Sequence, residues 1–145
     1  TSISDPPVLT GLTALQELNL SYTAITDPPV LTGLTALQVL YLDNTSISDP
    51  PVLTGLTALQ ELYLNNTSIS DPPVLTGLTA LQVLFLNNNI VFDLADIDAV
   101  LTEFAVTFDD LSYVDLFQTP SVIPTPATLA TAQAANLTTT FNVSV

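Results

Sequence analysis

The feature that most constrains the fold of this chain is a repeat of 22 residues, which runs through most of its 145 residues. The stretch "SISDPPVLTGLTALQ" begins at Ser2 and returns at Ser46 and Ser68, and the near copy "AITDPPVLTGLTALQ" begins at Ala24. Periods of about 20 to 29 residues are typical of solenoids, in which each unit buries its apolar edge against its neighbours. We therefore expect a solenoid.

Each repeat contains the signal of one short strand. Leu18 and Leu20 alternate with Glu17 and Asn19 in the first repeat, which is the period-2 pattern of a strand with one buried face. Three more repeats carry the same alternation, so the sequence predicts a parallel sheet with one strand per repeat. The predicted core contains these positions and their equivalents in each of the four repeats: Ile3, Leu9, Leu12, Leu15, Leu18 and Leu20.

The segment between the strands is predicted to turn rather than to form a long helix. The Asp of each "DPP" is placed to cap the free amides of a helical turn, and the following Pro needs no partner for an N–H group. Gly and the β-branched Val and Thr of "VLTGL" disfavour an extended α-helix. We expect no more than a single 3₁₀ turn there.

The spacing of the apolar residues resembles that of a known repeat family. It reads "LxxLxxLxLxxTxI" from Leu12 to Ile25, and it matches again from Leu34 to Asp49 and from Leu56 to Asp71. This spacing resembles the leucine-rich repeat, and more narrowly the 22-residue class of internalin-like bacterial surface proteins. The resemblance implies an α/β solenoid of horseshoe shape, with a parallel β-sheet on the concave face, a short 3₁₀ or loop convex side and an extended C-terminal segment.

One departure from the family pattern lies at the turn after the strand, where the family places Asn. Three repeats carry Thr at this position and the fourth carries Asn, in the order Thr23, Thr45, Thr67 and Asn89. A Thr hydroxyl offers fewer donors than an amide. We expect a weaker ladder of hydrogen bonds between coils, or one that neighbours such as Asn44 and Asn66 complete.

Two parts of the chain differ in composition. Residues 1–110 are predicted to form the solenoid, with four regular repeats and a degenerate fifth in which "AVTF" stands in the place of "LQVLFL". Residues 111–145 are predicted to contain a C-terminal cap, a linker rich in Pro, Thr and Ala, and a terminal β-strand. In that strand Phe141, Val143 and Val145 alternate with polar residues.

The open face of the predicted sheet carries the candidate binding residues. Across five repeats its columns read Glu17, Val39, Glu61, Val83 and Ala105; Asn19, Tyr41, Tyr63, Phe85 and Thr107; and Ser21, Asp43, Asn65, Asn87 and Asp109. Strands in a sheet lie about 4.8 Å apart, so the three aromatic residues form a contiguous stripe. The stripe has two interpretations: a contact surface flanked by polar groups, or aromatic residues that stack because they favour strands.

The candidate binding set is taken from these columns: Glu17, Asn19, Tyr41, Asp43, Glu61, Tyr63, Asn65, Phe85 and Asn87. If internalin-like proteins are a guide, the resemblance implies that this concave face binds a protein.

The charge of the chain excludes several partners. Fourteen acidic residues and no Lys or Arg give a formal net charge of −14, which opposes binding to nucleic acid or to anionic lipid. No apolar run approaches the roughly 18 residues that span a bilayer, so we predict no membrane insertion. The lack of cations fits either selection in a harsh, protease-rich setting or simple copying of a repeat that lacks them.

The sequence offers few of the residue types that catalysis requires. There is no His or Cys to act as a base or nucleophile and no Gly-rich phosphate loop, so we predict a protein that is not an enzyme and has no cofactor. Six Asp residues offer oxygen ligands for Ca²⁺, but they lack the Gly turn and terminal Glu of an EF-hand and are interpreted as solvated, with no metal site. They are Asp43, Asp93, Asp96, Asp98, Asp109 and Asp110.

The functional hypothesis drawn from the sequence is an extracellular or cell-surface interaction and structural module. Its first repeat begins without a polar cap, so we expect that either this coil is closed by another molecule or residues are missing. A free strand at the other end then favours head-to-tail assembly of copies of the chain into a fibre or surface layer. The alternative is a protein-binding fragment cut from a larger internalin-like adhesin. Two Thr columns, which begin at Thr10 and Thr13, make ice binding a minor alternative.

Overall fold

The chain folds into a stack of coils joined by one parallel sheet. A computed structural model describes residues 3–89 and 113–115. The strands are β1 (Glu17–Asn19), β2 (Val39–Tyr41), β3 (Glu61–Tyr63), β4 (Val83–Phe85) and β5 (Tyr113–Asp115). Their order in the sheet is β1-β2-β3-β4-β5, so each coil lies next to the one before it in sequence. The predicted leucine-rich-repeat solenoid is confirmed.

The register of the sheet follows the sequence repeat. Each of the first three strand pairs joins residues 22 apart, so that Leu18 lies beside Leu40 and Leu62 lies beside Leu84. Backbone bonds continue beyond the strands: the Leu42 N–H donates to the Tyr63 carbonyl over 2.9 Å. Equivalent side chains therefore form columns that run across the coils.

The core consists of stacked layers of Leu and Ile from the repeats. Ile25 and Leu34, in the second repeat, are 0% and 1% exposed because a coil lies on each side of them. Their equivalents in the first repeat, Ile3 and Leu12, are 48% and 47% exposed. The prediction that these positions are buried in every repeat is therefore wrong for the first, since no described coil covers its outer side.

The segments between strands form turns. In the first repeat the Leu12 N–H donates to the Leu9 carbonyl over 3.2 Å, and the Leu15 N–H donates to the Leu12 carbonyl over 2.9 Å. These bonds span three residues, as in a 3₁₀ turn. Gly11 takes the left-handed region at φ 88°, which glycine adopts without a steric penalty. Residues 3–89 and 113–115 contain no helix.

The predicted capping role of the "DPP" aspartates is wrong. Within the described residues no backbone amide of the following turn donates a hydrogen bond to one of these carboxylates. Asp27 accepts a hydrogen bond from the Thr26 hydroxyl over 3.4 Å, and Asp71 accepts one from the Ser70 hydroxyl over 3.0 Å. These carboxylates bond locally to the residue before them.

The turn after each strand contains the Thr or Asn position. Thr23 and Thr45 donate their hydroxyls to the Leu20 and Leu42 carbonyls of their own coils, over 2.7 and 2.8 Å. Asn89 instead reaches the preceding coil, where its Oδ1 accepts from the Thr67 N–H over 2.9 Å. This agrees with the expectation of a weaker ladder at the Thr positions.

Four residues in these turns have a left-handed backbone. Asn44, Asn66 and Asn88 have φ of 54°, 54° and 56°, and Tyr22 has φ of 57° at the equivalent place in the first repeat. Asn tolerates this region because its short polar side chain bonds locally, whereas a bulky residue is strained there. Asn44 and Asn66 thus serve the turn. The Asn44 side-chain amide donates to the Asp43 carboxylate over 2.8 Å. The alternative expectation, that Asn44 completes the ladder of hydrogen bonds between coils, is therefore wrong.

Tyr22→Asn is expected to stabilise the chain by about 0.5–1 kcal/mol, because Asn relieves most of the left-handed strain of roughly 1–2 kcal/mol. Little packing is lost, since Tyr22 is 78% exposed. Urea denaturation measures the change. Asn44→Tyr is the matched control and should destabilise by a similar amount. A Tyr22→Asn variant that is less stable than the parent would show that the phenol makes a stabilising contact.

The fifth strand is not where the 22-residue period placed it. β5 pairs with β4 so that Val83 lies beside Tyr113 and Phe85 beside Asp115. The predicted occupants of that place were Ala105 and Thr107, and this prediction is wrong because Tyr113–Asp115 fills the position beside β4. Ala105, Thr107 and Asp109 lie outside the described residues, as does the predicted assembly strand of Phe141, Val143 and Val145. The domain boundary at residue 110 stays a prediction.

Candidate functional site

The candidate site is the open face of the sheet, formed by the first and third residues of each strand and the residue two places further on. The middle residue of each of β1 to β4 is buried, and its two neighbours are exposed or half-buried. All nine predicted binding residues are within the described chain and lie in or two residues after a strand: Glu17, Asn19, Tyr41, Asp43, Glu61, Tyr63, Asn65, Phe85 and Asn87. Their placement on one face agrees with the prediction, and their role in binding stays a prediction.

Three aromatic rings form a continuous stack along this face. Tyr41 and Tyr63 have ring centroids 4.6 Å apart with planes inclined by 23°. Tyr63 and Phe85 have centroids 4.9 Å apart with planes inclined by 13°. The stack follows from the register, which aligns the third residues of β2, β3 and β4. The Tyr63 ring is therefore covered on both faces, and the aromatic stack (Tyr41, Tyr63 and Phe85) presents ring edges between its two ends.

Carboxylates surround the phenols of this stack. The Tyr63 hydroxyl donates to the Glu61 carboxylate over 2.8 Å. Burial, this hydrogen bond and the nearby charge of Glu61 together raise the pKa of Tyr63 well above its ordinary value. Burial also raises the pKa of Tyr41, and the charges of Glu61, Glu17 and Asp43 add to that effect. Both phenols therefore stay neutral at physiological pH, and the Tyr63 phenol acts as a hydrogen-bond donor.

The free energy of unfolding is expected to fall as the pH rises above the ordinary tyrosine pKa of 10.0, because Tyr63 has a higher pKa in the folded state than in the unfolded state. A raised folded pKa gives stability that is complete below the unfolded pKa and is lost as the pH rises through the folded one. Urea denaturation at a series of alkaline pH values measures this fall. Tyr63→Phe should weaken the pH dependence, and an unchanged slope in that variant would contradict the assignment.

One carboxylate of the face is held in place by its neighbours. Asp43 accepts hydrogen bonds from the Ser21 hydroxyl over 2.5 Å and from the Asn44 amide over 2.8 Å. Asn19 accepts a hydrogen bond from the Ser21 N–H over 3.0 Å, which directs its side-chain oxygen toward its own backbone. The acidic group beyond Tyr41 is therefore preorganised.

A second surface was not assigned from the sequence. The Val of each "PPV" is 70–90% exposed, and these residues form the valine ridge: Val8, Val30, Val52 and Val74. A groove of about 330 Å³ lies along it between the third and fourth repeats, lined by Pro50, Pro51, Val52, Leu53, Thr54 and Val74. Its only sequence signal was the recurrence of an apolar residue just after "DPP", which in a turn says nothing about the side that the residue faces.

The described residues contain neither a cluster of metal ligands nor a helix that could span a membrane. In residues 3–89 and 113–115 no group of three or more acidic side chains is close enough to hold a metal ion. Most of the candidate Ca²⁺ ligands lie outside these residues: Asp93, Asp96, Asp98, Asp109 and Asp110. The same part of the chain contains no helix of the length and apolarity that a membrane crossing requires.

Comparisons with known proteins agree with this architecture. The family of leucine-rich repeats (2 copies) matches residues 2–55 and 57–102. Fourteen chains of solved structures match, among them the crystal structure of an internalin (inlF) from Listeria monocytogenes str. 4b F2365. That match has a TM-score of 0.77 and 27% sequence identity, and it covers 99% of this chain and 39% of the internalin chain. No curated protein matches the chain.

Proposed function

The chain belongs to the leucine-rich-repeat family, a family of protein-interaction modules, and we propose that its partner docks on the open face of the sheet. The likeness to an internalin supports a secreted or cell-surface setting for this contact. The chain spans 39% of that internalin, so it corresponds to part of such a protein.

The observation that carries the proposal is the aromatic stack with its flanking carboxylates. The fold needs only the buried face of each strand, where Leu40 and Leu62 are 0% exposed. Nothing in the core requires aromatic residues on the opposite face. Aromatic residues with a hydrogen-bonding group are enriched at protein interfaces because they bury a large area and lose little conformational entropy. Tyr41 and Tyr63 have this character.

The experiment compares two triple variants of the full chain. The first removes the aromatic stack with Tyr41→Ser, Tyr63→Ser and Phe85→Ser. The second removes most of the valine ridge with Val30→Ser, Val52→Ser and Val74→Ser, and it serves as the matched control. Circular dichroism first establishes that both variants keep the parent spectrum.

The immobilised variants are then exposed to detergent extracts of labelled cell surfaces, and the retained proteins are identified. We expect a partner that the parent and the ridge variant retain and that the stack variant loses. A partner lost with the ridge variant and kept by the stack variant would move the binding site to the turns and overturn the proposal.

Self-assembly is a second hypothesis. In this hypothesis copies of the chain add head to tail and form a fibre or surface layer. Negative-stain electron microscopy and light scattering test it across a salt series, because the charge of −14 opposes association at low ionic strength. Removal of residues 137–145 should abolish filaments and leave partner binding intact, whereas Tyr63→Ala should do the reverse.

Ice binding, the minor alternative, is tested by thermal hysteresis.

A further inference from the structure

The aromatic stack has an end at Tyr41. Tyr63 stacks on one face of the Tyr41 ring, with centroids 4.6 Å apart. On the other side the register places Asn19 of β1 beside Tyr41. Asn19 is exposed, and its side-chain oxygen accepts the Ser21 N–H over 3.0 Å. The outer face of the Tyr41 ring therefore has no aromatic neighbour on the adjacent strand.

Three carboxylates lie around this end of the stack. Glu17 is on β1, Glu61 is on β3, and Asp43 follows Tyr41 by two residues. Each of them is close enough to Tyr41 to act on its phenol electrostatically. The chain has no Lys, Arg or His, so none of these charges is paired with a basic side chain of its own. The result is an aromatic face bordered by negative charge.

We propose that the outer ring face of Tyr41, with Glu17 of the adjacent strand beside it, receives an arginine side chain of the partner protein. This inference rests on the proposed function and names the chemistry of its partner. A guanidinium stacks on an aromatic face and at the same time donates hydrogen bonds to carboxylates, which an ammonium does less well. Tyr41 supplies the face, and Glu17, which is on the strand that lies on the same side as that face, supplies the acceptor.

The charge of the whole chain argues for the same occupant. A net charge of −14 attracts a basic surface and speeds its association, and it repels an acidic one. A second copy of this chain does not fit, because it offers no basic side chain. The partner is therefore a different protein with a basic patch, and the stack end is separate from any contact through which copies of the chain assemble.

The test uses the full chain and two small probes, N-acetyl-arginine amide and its uncharged isostere N-acetyl-citrulline amide. Nuclear magnetic resonance follows the Tyr41 ring and the Asn19 amide during titration. We expect saturable shifts at both residues with the arginine probe and none with the citrulline probe. Tyr41→Leu, which keeps an apolar residue at this position, should weaken arginine binding by about 3- to 10-fold.

A charge-matched pair of variants separates a site from general attraction. Glu17→Gln and Asp27→Asn each remove one negative charge from an exposed residue, but Asp27 belongs to the turn after β1 and not to the open face of the sheet. We expect Glu17→Gln to weaken arginine binding by about 3-fold and Asp27→Asn to leave it within error. Equal effects of the two variants, or unchanged binding in Tyr41→Leu, would show a diffuse electrostatic attraction and overturn the inference.

Failure of the arginine inference can be distinguished from failure of the proposed function. A partner that depends on the aromatic stack, combined with no response to the arginine probe, overturns the arginine inference and leaves the docking face in place. A partner that ignores the stack overturns the proposed function, whatever the small probe does.

Discussion

Leu56→Ala is expected to lower the free energy of unfolding by about 2–5 kcal/mol, whereas Leu12→Ala is expected to cost about 1 kcal/mol. The two leucines occupy the same place in the repeat and have the same neighbours in sequence. Leu56 is 1% exposed between two coils, and Leu12 is 47% exposed on the outer side of the first. Truncating Leu56 leaves a cavity in addition to the lost apolar burial, while water fills the space beside Leu12.

Chemical denaturation followed by circular dichroism measures both changes, and Leu34→Ala serves as the control for a covered coil. Leu34 is also 1% exposed, so its variant should behave like Leu56→Ala. Equal costs for Leu12→Ala and Leu56→Ala would contradict the description of an open first coil. If the Leu12→Ala cost then rose with protein concentration, a second molecule would be covering that coil.

Most of the fold could be predicted because the same pattern occurs in each repeat. The Leu-x-Leu spacing of Leu18 and Leu20 recurs every 22 residues, and a solenoid coil contacts its sequence neighbours above all. The positions of the first four strands, their parallel order and their register follow from that period. The assignment of each strand is supported by the same pattern in the three other repeats.

The fifth strand could not be placed by extending the period. β5 begins at Tyr113, which is 30 residues after its partner Val83 in β4. A strand is fixed by local alternation of apolar residues, and the length of the connection before it is free to vary. The stretch "LSYVDL", which starts at Leu111, matches "LQVLYL" from Leu37 with Val in place of one Leu. That match was the available signal for the fifth strand. It was missed because the strand was placed by extending the 22-residue period.

The sequence predicts which residues form the columns of the candidate site, but it does not predict how their side chains are oriented. The register of the strands brings Tyr41, Tyr63 and Phe85 together, and the sequence contains that register. The near-parallel ring planes depend on side-chain torsions that spacing does not encode, and they hide the ring faces that a stripe of separate rings would offer. The two faces of the Tyr63 ring are covered, so ring faces can be reached only at the ends of the stack, and the proposed arginine contact uses the end at Tyr41.

The two exposed surfaces of the solenoid differ in chemistry. The open face of the sheet carries aromatic rings and carboxylates, while the valine ridge is apolar. A chain with a charge of −14 and no cations cannot pair its acidic face with another copy of that face. The proposed contact with a basic partner and the proposed contacts between copies of the chain therefore belong on different surfaces, and variants of one surface can leave the other intact.

Asn89→Ala is expected to cost about 3 kcal/mol or more, the largest effect of any polar substitution in the described coils. Asn89 is 7% exposed, and its Oδ1 accepts from the Thr67 N–H over 2.9 Å and from the Thr67 hydroxyl over 2.6 Å. Its Nδ2 donates to the Leu64 carbonyl over 3.0 Å and to the Leu86 carbonyl over 2.9 Å. Alanine removes all four hydrogen bonds at once, and each buried group that is left unsatisfied costs about 1–3 kcal/mol.

Thr45→Ala is the matched control, because Thr45 has the same place in its repeat and is also 7% exposed. Its hydroxyl donates one hydrogen bond, to the Leu42 carbonyl of its own coil over 2.8 Å, so its loss should cost about 1 kcal/mol. Urea denaturation of both variants measures the difference. Asn89 joins the third coil to the fourth, whereas Thr45 stabilises a turn within one coil. Equal costs for the two variants would mean that the hydrogen bonds between coils add nothing to the leucine core.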